Sequence, residues 1–524
     1  MPSPRHSIVV ATAAQAAARD RAAIAGGMES FSLMANAGTA TVAMIVRDCA
    51  DKLADGVAIF AGPGNNGGDA YVVAAQLARA GVRVRLHAAE PPRTDDAIRA
   101  AAIAAPSLIH GAPTGNEQLA IDGLLGTGHR GTLRASVLQA CERLRLFLDR
   151  NATIVALDVP TGLDATTGDI SAESVPAHIT VSYGTFKRAH VVARHHVGRV
   201  VLVDIGLNGT VMPEDNAWHL AEQGMLHPQI VPVAWNSWKT RRGVVALAGG
   251  DAGMAGAIVL SARGALATGV GLAHCIVQRA SVSAVQISVP QAIAHSCDDD
   301  MSGLVAACDA LAVGPGLGRG ERSRALLADL TSRFERSLLL DADALTLIAT
   351  SGGRRSAEVL ADIAGDRQVV CTPHPREFAA LIGSDVPSAI DERVELLQSF
   401  AITSRCTVLL KGTPTVICSP DGAAPVVAAR GTPALATGGS GDMLTGIIAA
   451  LLAQRMSGVA AASTGAWLHG RAAEIASRDA GTVRGVSLDA VAAKLPYAWR
   501  ELEQPATFPV SVLGELPSVM QVFG

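Results

Sequence analysis

The 524-residue chain is poor in aromatic and charged side chains, with Phe, Trp and Tyr at 3% and Asp, Glu, Lys and Arg at 17%. Since 49% of it is hydrophobic, its core must be built from Ala, Val, Leu and Ile, and a disordered chain is excluded. Neither sign of charge dominates. A net charge of −4 leaves no basic field to hold a polyanion, which argues against a nucleic-acid partner. Long apolar runs are missing too: Arg263 and Gly446 interrupt the richest stretches before about 18 residues, so no membrane span is expected. The eight cysteines contain no CxxC pair and the fourteen histidines no HExxH or HxxxH spacing. Reduced thiols in a cytoplasmic protein are expected, without a structural zinc site. Residues 8–14 faintly imitate a secretory signal, but Gln15, Arg19, Asp20 and Arg21 continue them as an amphipathic helix.

What is present is an alternation of short aliphatic runs, glycine-rich turns and Ala-rich helical stretches. Val57 to His87 reads as a βαβ unit, with a helix over 72–80 and a second strand over 82–86. Further strands are expected at 119–125, 153–159, 179–181 and 200–203, and a helix at 136–149. Pro213, Pro228 and Pro232 then break the pattern, which resumes at 243–248 with a helix over 255–269 and strands at 310–313, 338–340, 369–372 and 407–410. The fold class is α/β: an N-terminal Rossmann-like doubly wound domain over 1–215, a linker over 216–238, a second α/β domain over 239–510, and a tail over 511–524. In such sheets the loops at the C-terminal strand ends are the default ligand site.

Three strand-end loops stand out in the first half. Asn65-Asn66-Gly67-Gly68-Asp69 follows a strand and opens a helix, where backbone N–H groups can approach a phosphate. Asp122 leads into Gly126-Thr127-Gly128-His129-Arg130-Gly131-Thr132, and Asp158 into Val159-Pro160-Thr161-Gly162. Oxygen ligands without His or Cys suit an alkali or alkaline-earth cation rather than zinc. The competing reading is that Asp122 and Asp158 merely cap the helices that follow.

In the second half Thr437-Gly438-Gly439-Ser440-Gly441-Asp442 enters an apolar helix. Its small residues expose N–H groups to a transferring phosphoryl group, and Asp442 is placed as a base toward a substrate hydroxyl. A glycine loop with a capping Asp is the alternative. Lys411-Gly412-Thr413-Pro414-Thr415 follows a strand, and Lys is rare in this chain, which favours a phosphate contact. Gly314-Pro315-Gly316-Leu317-Gly318 is another strand-end turn, and His374 is held between Pro373 and Pro375.

NNGGDA, DGLLGTG and DVPTGLD in this order resemble the epimerase domain of the NAD(P)H-hydrate repair enzymes, over about residues 5–210. GGDAGMAGA, GPGLG, DADAL, TPHPREF, KGTPTVI and GGSGDMLTG resemble the ribokinase-like, ADP-dependent dehydratase domain of the same enzymes, over about 239–500, which implies a ribokinase-like fold for the second domain. The resemblance implies an enzyme that interconverts the R and S epimers of hydrated NADH or NADPH (NADHX, NADPHX) and dehydrates the S form while ADP becomes AMP and phosphate. It implies hydrate contacts at Asn65 to Asp69, Gly126 to Thr132 and Asp158, with K+ on Asn66, Asp122 and Thr161, and Asp158 as acid or base at the hydrated ring carbon. In the second half it implies hydrate contacts at Ala257, Gly316, Gly318, His374 and Asp442, nucleotide contacts at Lys411 to Thr415 and Gly441, Mg2+ beside ADP, and Asp442 as catalytic base. A homo-oligomer is expected from the resemblance and from apolar Ala-rich helices with no evident cover.

The chain departs from the family pattern at four places. Ala70 stands where Gly is usual, which matters only if that residue needs a positive φ; Thr161 replaces Ser but keeps the hydroxyl; Arg376 interrupts HPGE; and Pro414 removes one N–H donor. The alternative function is a ribokinase-type small-molecule kinase carrying a non-catalytic nucleotide-binding first half.

Overall fold

The computed structural model describes residues 7–207, 217–351, 354–504, 509–512 and 514. It divides into two compact units, one made chiefly of residues 8–217 and one of 218–505.

In the first unit, seven strands form a sheet in the order Val510–Val512, Arg199–Val203, Ile179–Tyr183, Thr153–Leu157, Leu119–Gly123, Val57–Ala61, Val84–Ala88. All pairs are parallel except that of Val510–Val512 with Arg199–Val203. Central strands such as Val57–Ala61 and Leu119–Gly123 are buried along their whole length. That is why they read as unbroken apolar runs: helices cover both faces of a parallel sheet. The strand expected at 82–86 lies at Val84–Ala88, and the helix expected at 72–80 is Asn65–Arg79. The glycine-rich segment that looked like a loop is thus the helix's own first turns.

The second unit has a parallel sheet in the order Ile293–Ser296, Leu272–Val277, Val244–Gly249, Ala310–Val313, Ser337–Leu340, Val369–Cys371, Thr407–Leu410. An antiparallel meander, Thr415–Cys418 and Val426–Ala428, extends it, and Trp218–Leu220 then pairs parallel with Val426–Ala428. The helices Ser440–Ala453 and Gly458–Ala480 are buried along most of their length. Ser457 caps the second of them through Ala460 N, and Gly481 ends it in the left-handed conformation. Ser440–Ala453 lies so close to the helix Ala255–Ala267 that a Cβ on Gly446 would stand 1.8 Å from the Ser261 carbonyl oxygen.

Three expectations change. The Ala-rich helices that seemed to need cover from another subunit are covered within the second unit, because small side chains let backbones pack closely. The stretch read as a linker, 216–238, contains the strand Trp218–Leu220 and helical turns at Gln223–Leu226 and His227–Gln229. The start of the supposed tail is the strand Val510–Val512, paired with Arg199–Val203. Residues 208–216, which hold the boundary expected at 215, and most of 511–524 lie outside the described residues.

Candidate functional sites

In the first unit the three loops converge at the C-terminal strand ends on a cavity of about 760 Å³. Asn65, Asn66, Asp69, Gly126, Thr127, Gly128, His129, Arg130, Thr132 and Asp158 line it. Gly67, Gly68 and Gly131 do not. Gly67 permits close packing, since a Cβ there would lie 1.9 Å from the Gly62 carbonyl oxygen, and Gly68 faces Met34 and Ala97. Gly64 gives the helix no side-chain cap, so its first N–H groups have no side-chain acceptor there.

Asp122 and Asp158 cap no helix. Asp122 is fully buried at its strand end and accepts from Thr161 Oγ1 at 2.6 Å, Thr161 N at 2.8 Å and Leu124 N at 3.2 Å. Burial pushes its pKa up, against those hydrogen bonds. Asn66 Nδ2 is buried without a partner, and the Asn66 side chain packs on Gly126, on the loop that follows Asp122. Turning that amide over would point its oxygen into the same space. Ser174 buttresses Thr161: its Oγ donates to Thr161 O at 2.5 Å and contacts His196 Nε2 at 2.7 Å.

Asp158 sits in left-handed backbone, φ 67°. Its Oδ1 accepts from Lys187 Nζ and from Tyr183 N at 3.1 Å, and its carbonyl meets His190 Nε2 at 2.9 Å. Lys187 N donates to His190 Nδ1 at 3.2 Å, so the imidazole proton lies on Nε2 and is donated to Asp158. Burial lowers the His190 pKa to about 3, keeping the ring neutral. Asp20 and Lys187 line the cavity as well. Ala70 lies inside the helix and is absent from the positive-φ residues; its methyl packs at the backbone of Gly123.

In the second unit the strand-end loops again hold the chosen residues. Gly439 (φ 89°) turns the chain into the helix Ser440–Ala453, so that Asp442 falls in its first turn. Lys411 Nζ lies 2.8 Å from Asp341 Oδ1 and 3.3 Å from the position a Cβ on Gly441 would take. Asp341 is in turn fixed by Thr445 Oγ1 at 2.6 Å. Burial, then Asp341, raises the Asp442 pKa to about 6, with Lys411 opposing. Burial works against the Lys411 charge, but Asp341 and Glu377 prevail and raise its pKa.

Gly316 (φ 58°) stands against Ala257, and Gly318 N donates to Asp343 Oδ2 at 3.0 Å. The His374 and Lys411 loops are tied by Lys411 N donating to Pro373 O at 2.9 Å. His374 itself is exposed and caps the helix Pro375–Ile382, its Nδ1 accepting from Arg376 N and Glu377 N. Gly412 and Thr413 are exposed, whereas Pro414 is buried and Thr415 Oγ1 turns back to Gly412 O at 3.0 Å.

Residues 30–189 match the family described as YjeF-related protein N-terminus, and residues 245–496 match NAD(P)H-hydrate dehydratase. The bifunctional NAD(P)H-hydrate repair enzyme Nnr of Moorella thermoacetica is 32% identical, over 94% of this chain and 97% of its own. The chain belongs to the bifunctional NAD(P)H-hydrate repair enzymes. The family member from Salinibacter ruber is 33% identical over 89% of this chain and 91% of its own. A Bacillus subtilis ADP/ATP-dependent NAD(P)H-hydrate dehydratase, co-crystallised with ATP and Mg2+, is 26% identical, covering 54% of this chain and 98% of its own, with a TM-score of 0.47. Likeness over nearly the whole length favours a repair enzyme with epimerase and dehydratase halves over a kinase with a binding module.

Sequence reasoning missed several members of the two sites of this repair enzyme. Lys187 and Asp20 lie outside the three loops, and the scarcity of Lys, which drew attention to Lys411, is the one sequence signal that could have found Lys187. Asp341 was in view as part of DADAL, but its contact with Lys411, 70 residues on, was not.

Proposed function

We propose that the first half equilibrates the R and S epimers of NADHX and NADPHX, and that the second half dehydrates the S form to NADH or NADPH as ADP becomes AMP and phosphate. Water adds to either face of the nicotinamide ring, so a dehydratase specific for one epimer needs an epimerase beside it. The observation that carries this reading is the 32% identity to a bifunctional repair enzyme over 94% of the chain.

In the second half Asp442 takes the proton of the substrate hydroxyl as it accepts a phosphoryl group, and the N–H groups of Gly439 to Gly441 and the Lys411 ammonium stabilise the transferring charge. Elimination of phosphate then restores the ring double bond, which hydroxide, a poor leaving group, would not do. Ala257, Gly316, Gly318 and His374 contact the hydrate, and Lys411 to Thr415 with Gly441 the nucleotide. Mg2+ would be carried on the nucleotide phosphates, where it would neutralise their charge.

In the first half the buried Asn66 amide, the Asp122 carboxylate and the Thr161 hydroxyl are a donor set for K+. K+ would balance the buried Asp122 charge; Asn65, Asn66, Asp69, Gly126 to Arg130 and Thr132 contact the hydrate, and Asp158 acts at the ring carbon. We place the enzyme in the cytoplasm on its eight cysteines without a CxxC pair, and as a homo-oligomer on the resemblance alone.

The test is to incubate mixed NADHX epimers with ADP and follow absorbance at 340 nm and AMP release. Complete recovery of NADH is expected. No ADP-dependent recovery refutes the dehydratase reading, and R epimer persisting at its spontaneous rate of conversion refutes the epimerase reading.

A further inference from the structure

The cavity of the first half holds more acid than substrate contact requires. Asp20, Asp69 and Asp158 all line it, with the single ammonium of Lys187. That ammonium has three protons and three acceptors: Asp158 Oδ1, Tyr183 O at 3.1 Å and Ser182 Oγ at 3.3 Å. None is left for Asp69. The two carboxylates therefore differ in kind, since Asp158 has a cation in contact and the Tyr183 N–H besides, whereas Asp69 feels Lys187 only through space.

The groups facing Asp69 are Asp158 at the end of its strand, Asp20 on the helix Ala13–Ala25, Lys187 and the Tyr183 phenol. Burial first, then Asp158 and Asp20, push the Asp69 pKa well up, and Lys187 offsets this only in part. Burial also raises the Tyr183 pKa, and its hydroxyl is bonded to Thr41 Oγ1 at 2.9 Å, so it contributes no charge. One cavity thus presents a carboxyl that holds its proton more tightly than usual and an ion-paired carboxylate, the arrangement that divides acid from base.

We propose that Asp69 and Asp158 share the epimerisation, Asp69 giving a proton to the departing hydroxyl and Asp158, held by Lys187, taking one from the water that arrives on the other face. This rests on the epimerase reading of the first half. Asp69 protonates the hydroxyl of the hydrated ring carbon, and the C–O bond breaks with its electron pair leaving on water. The lone pair of the adjacent ring nitrogen replaces it, giving a planar iminium ion. Water then bonds to the opposite face and passes its extra proton to Asp158. One water leaves and one enters, and the net change is one proton moved from Asp69 to Asp158, which proton exchange with solvent resets before the next turnover in the same direction and which the reverse conversion also returns. No oxidant, reductant or nucleotide is consumed.

The full chain is incubated with purified R epimer in ¹⁸O-water without ADP, and the epimers are separated and weighed by mass spectrometry. One solvent oxygen per inversion is expected, with a wild-type rate that falls as pH rises, because Asp69 must be protonated to act. Asp69→Asn, nearly isosteric, should cut the rate by about 100-fold or more while R-epimer binding by equilibrium dialysis persists. Asp69→Glu should restore part of the rate and the alkaline fall. Inversion without oxygen exchange overturns the proposal, and so does an Asp69→Asn rate within about threefold of wild type. The isotope and pH measurements need only the wild-type chain, so a poorly folded variant leaves the proposal testable. A wild-type chain no faster than spontaneous epimerisation refutes the epimerase reading itself, whereas a fast wild type with an equally fast Asp69→Asn refutes only the division of roles.

Discussion

Asp442 shows how one side chain's surroundings set its chemistry. It lies near Asp341, Asp343 and Glu377, and its pKa rises to about 6 because burial and their charges outweigh the pull of Lys411. A base must be ionised, so the dehydratase rate should rise with pH through about 6 and level off above. Asp442→Asn should lower kcat by about 100-fold or more with ADP affinity kept, checked by steady-state rates and nucleotide titration. The same shift has a sign for stability. A carboxyl whose folded pKa is raised contributes most below its unfolded value and loses that contribution as pH climbs through about 6. Asp442→Asn should therefore gain about 2–4 °C in Tm at pH 8, where the lost group was a repelled carboxylate, and little at pH 4, where it was protonated; calorimetry at both pH values decides this. GGSGD reads as a candidate anion loop because its elements are contiguous. The raised pKa was not, because Asp341 and Glu377 reach Asp442 from other strand ends.

At the scale of elements, the second unit is tied together by a buried charge network. Arg430 Nε and Nη2 donate to Glu222 at 2.7 and 3.1 Å, Trp467 Nε1 donates to the same carboxylate at 3.0 Å, and Glu474 accepts from Gly431 N at 3.0 Å. This fastens the short strand Trp218–Leu220 and the helix Gly458–Ala480 to the segment that runs into the anion loop. Arg430→Met would leave the buried Glu222 carboxylate without its cation, whereas Glu474 keeps Arg471 at 3.0 Å. The substitution should cost about 3–5 kcal/mol, read as a lower urea midpoint for the unfolding step of this unit. Adding Glu222→Gln should return much of it, because the loss comes from unpaired charge rather than from packing. Prolines at 228 and 232 made this region read as linker. A three-residue strand held by partners some 200 positions away leaves no local periodicity to see.

At the scale of the molecule, two sites work on one damaged cofactor, and each can be silenced in the full chain. With mixed epimers and ADP, Asp158→Asn should stop near the point where the S form is spent, whereas Asp442→Asn should go on equilibrating epimers but release no AMP; chiral separation and AMP assay distinguish them. The sequence by itself determined the two α/β halves and the loops that carry chemistry. Unbroken apolar runs mark strands buried on both faces, and glycines next to Asp or Lys mark strand ends, both being local consequences of backbone geometry. It also showed Ala70 and Thr161 as departures, but only the fold decided what they mean. Ala70 is helical and needs no positive φ, and Thr161 keeps the hydroxyl bonded to Asp122. Tertiary structure alone decided which charges meet: Asp20, Asp69, Asp158 and Lys187 in one cavity, and Asp341, Lys411 and Asp442 at one set of strand ends. Burial and through-space charge set proton affinity, and both depend on distances that only the folded chain defines.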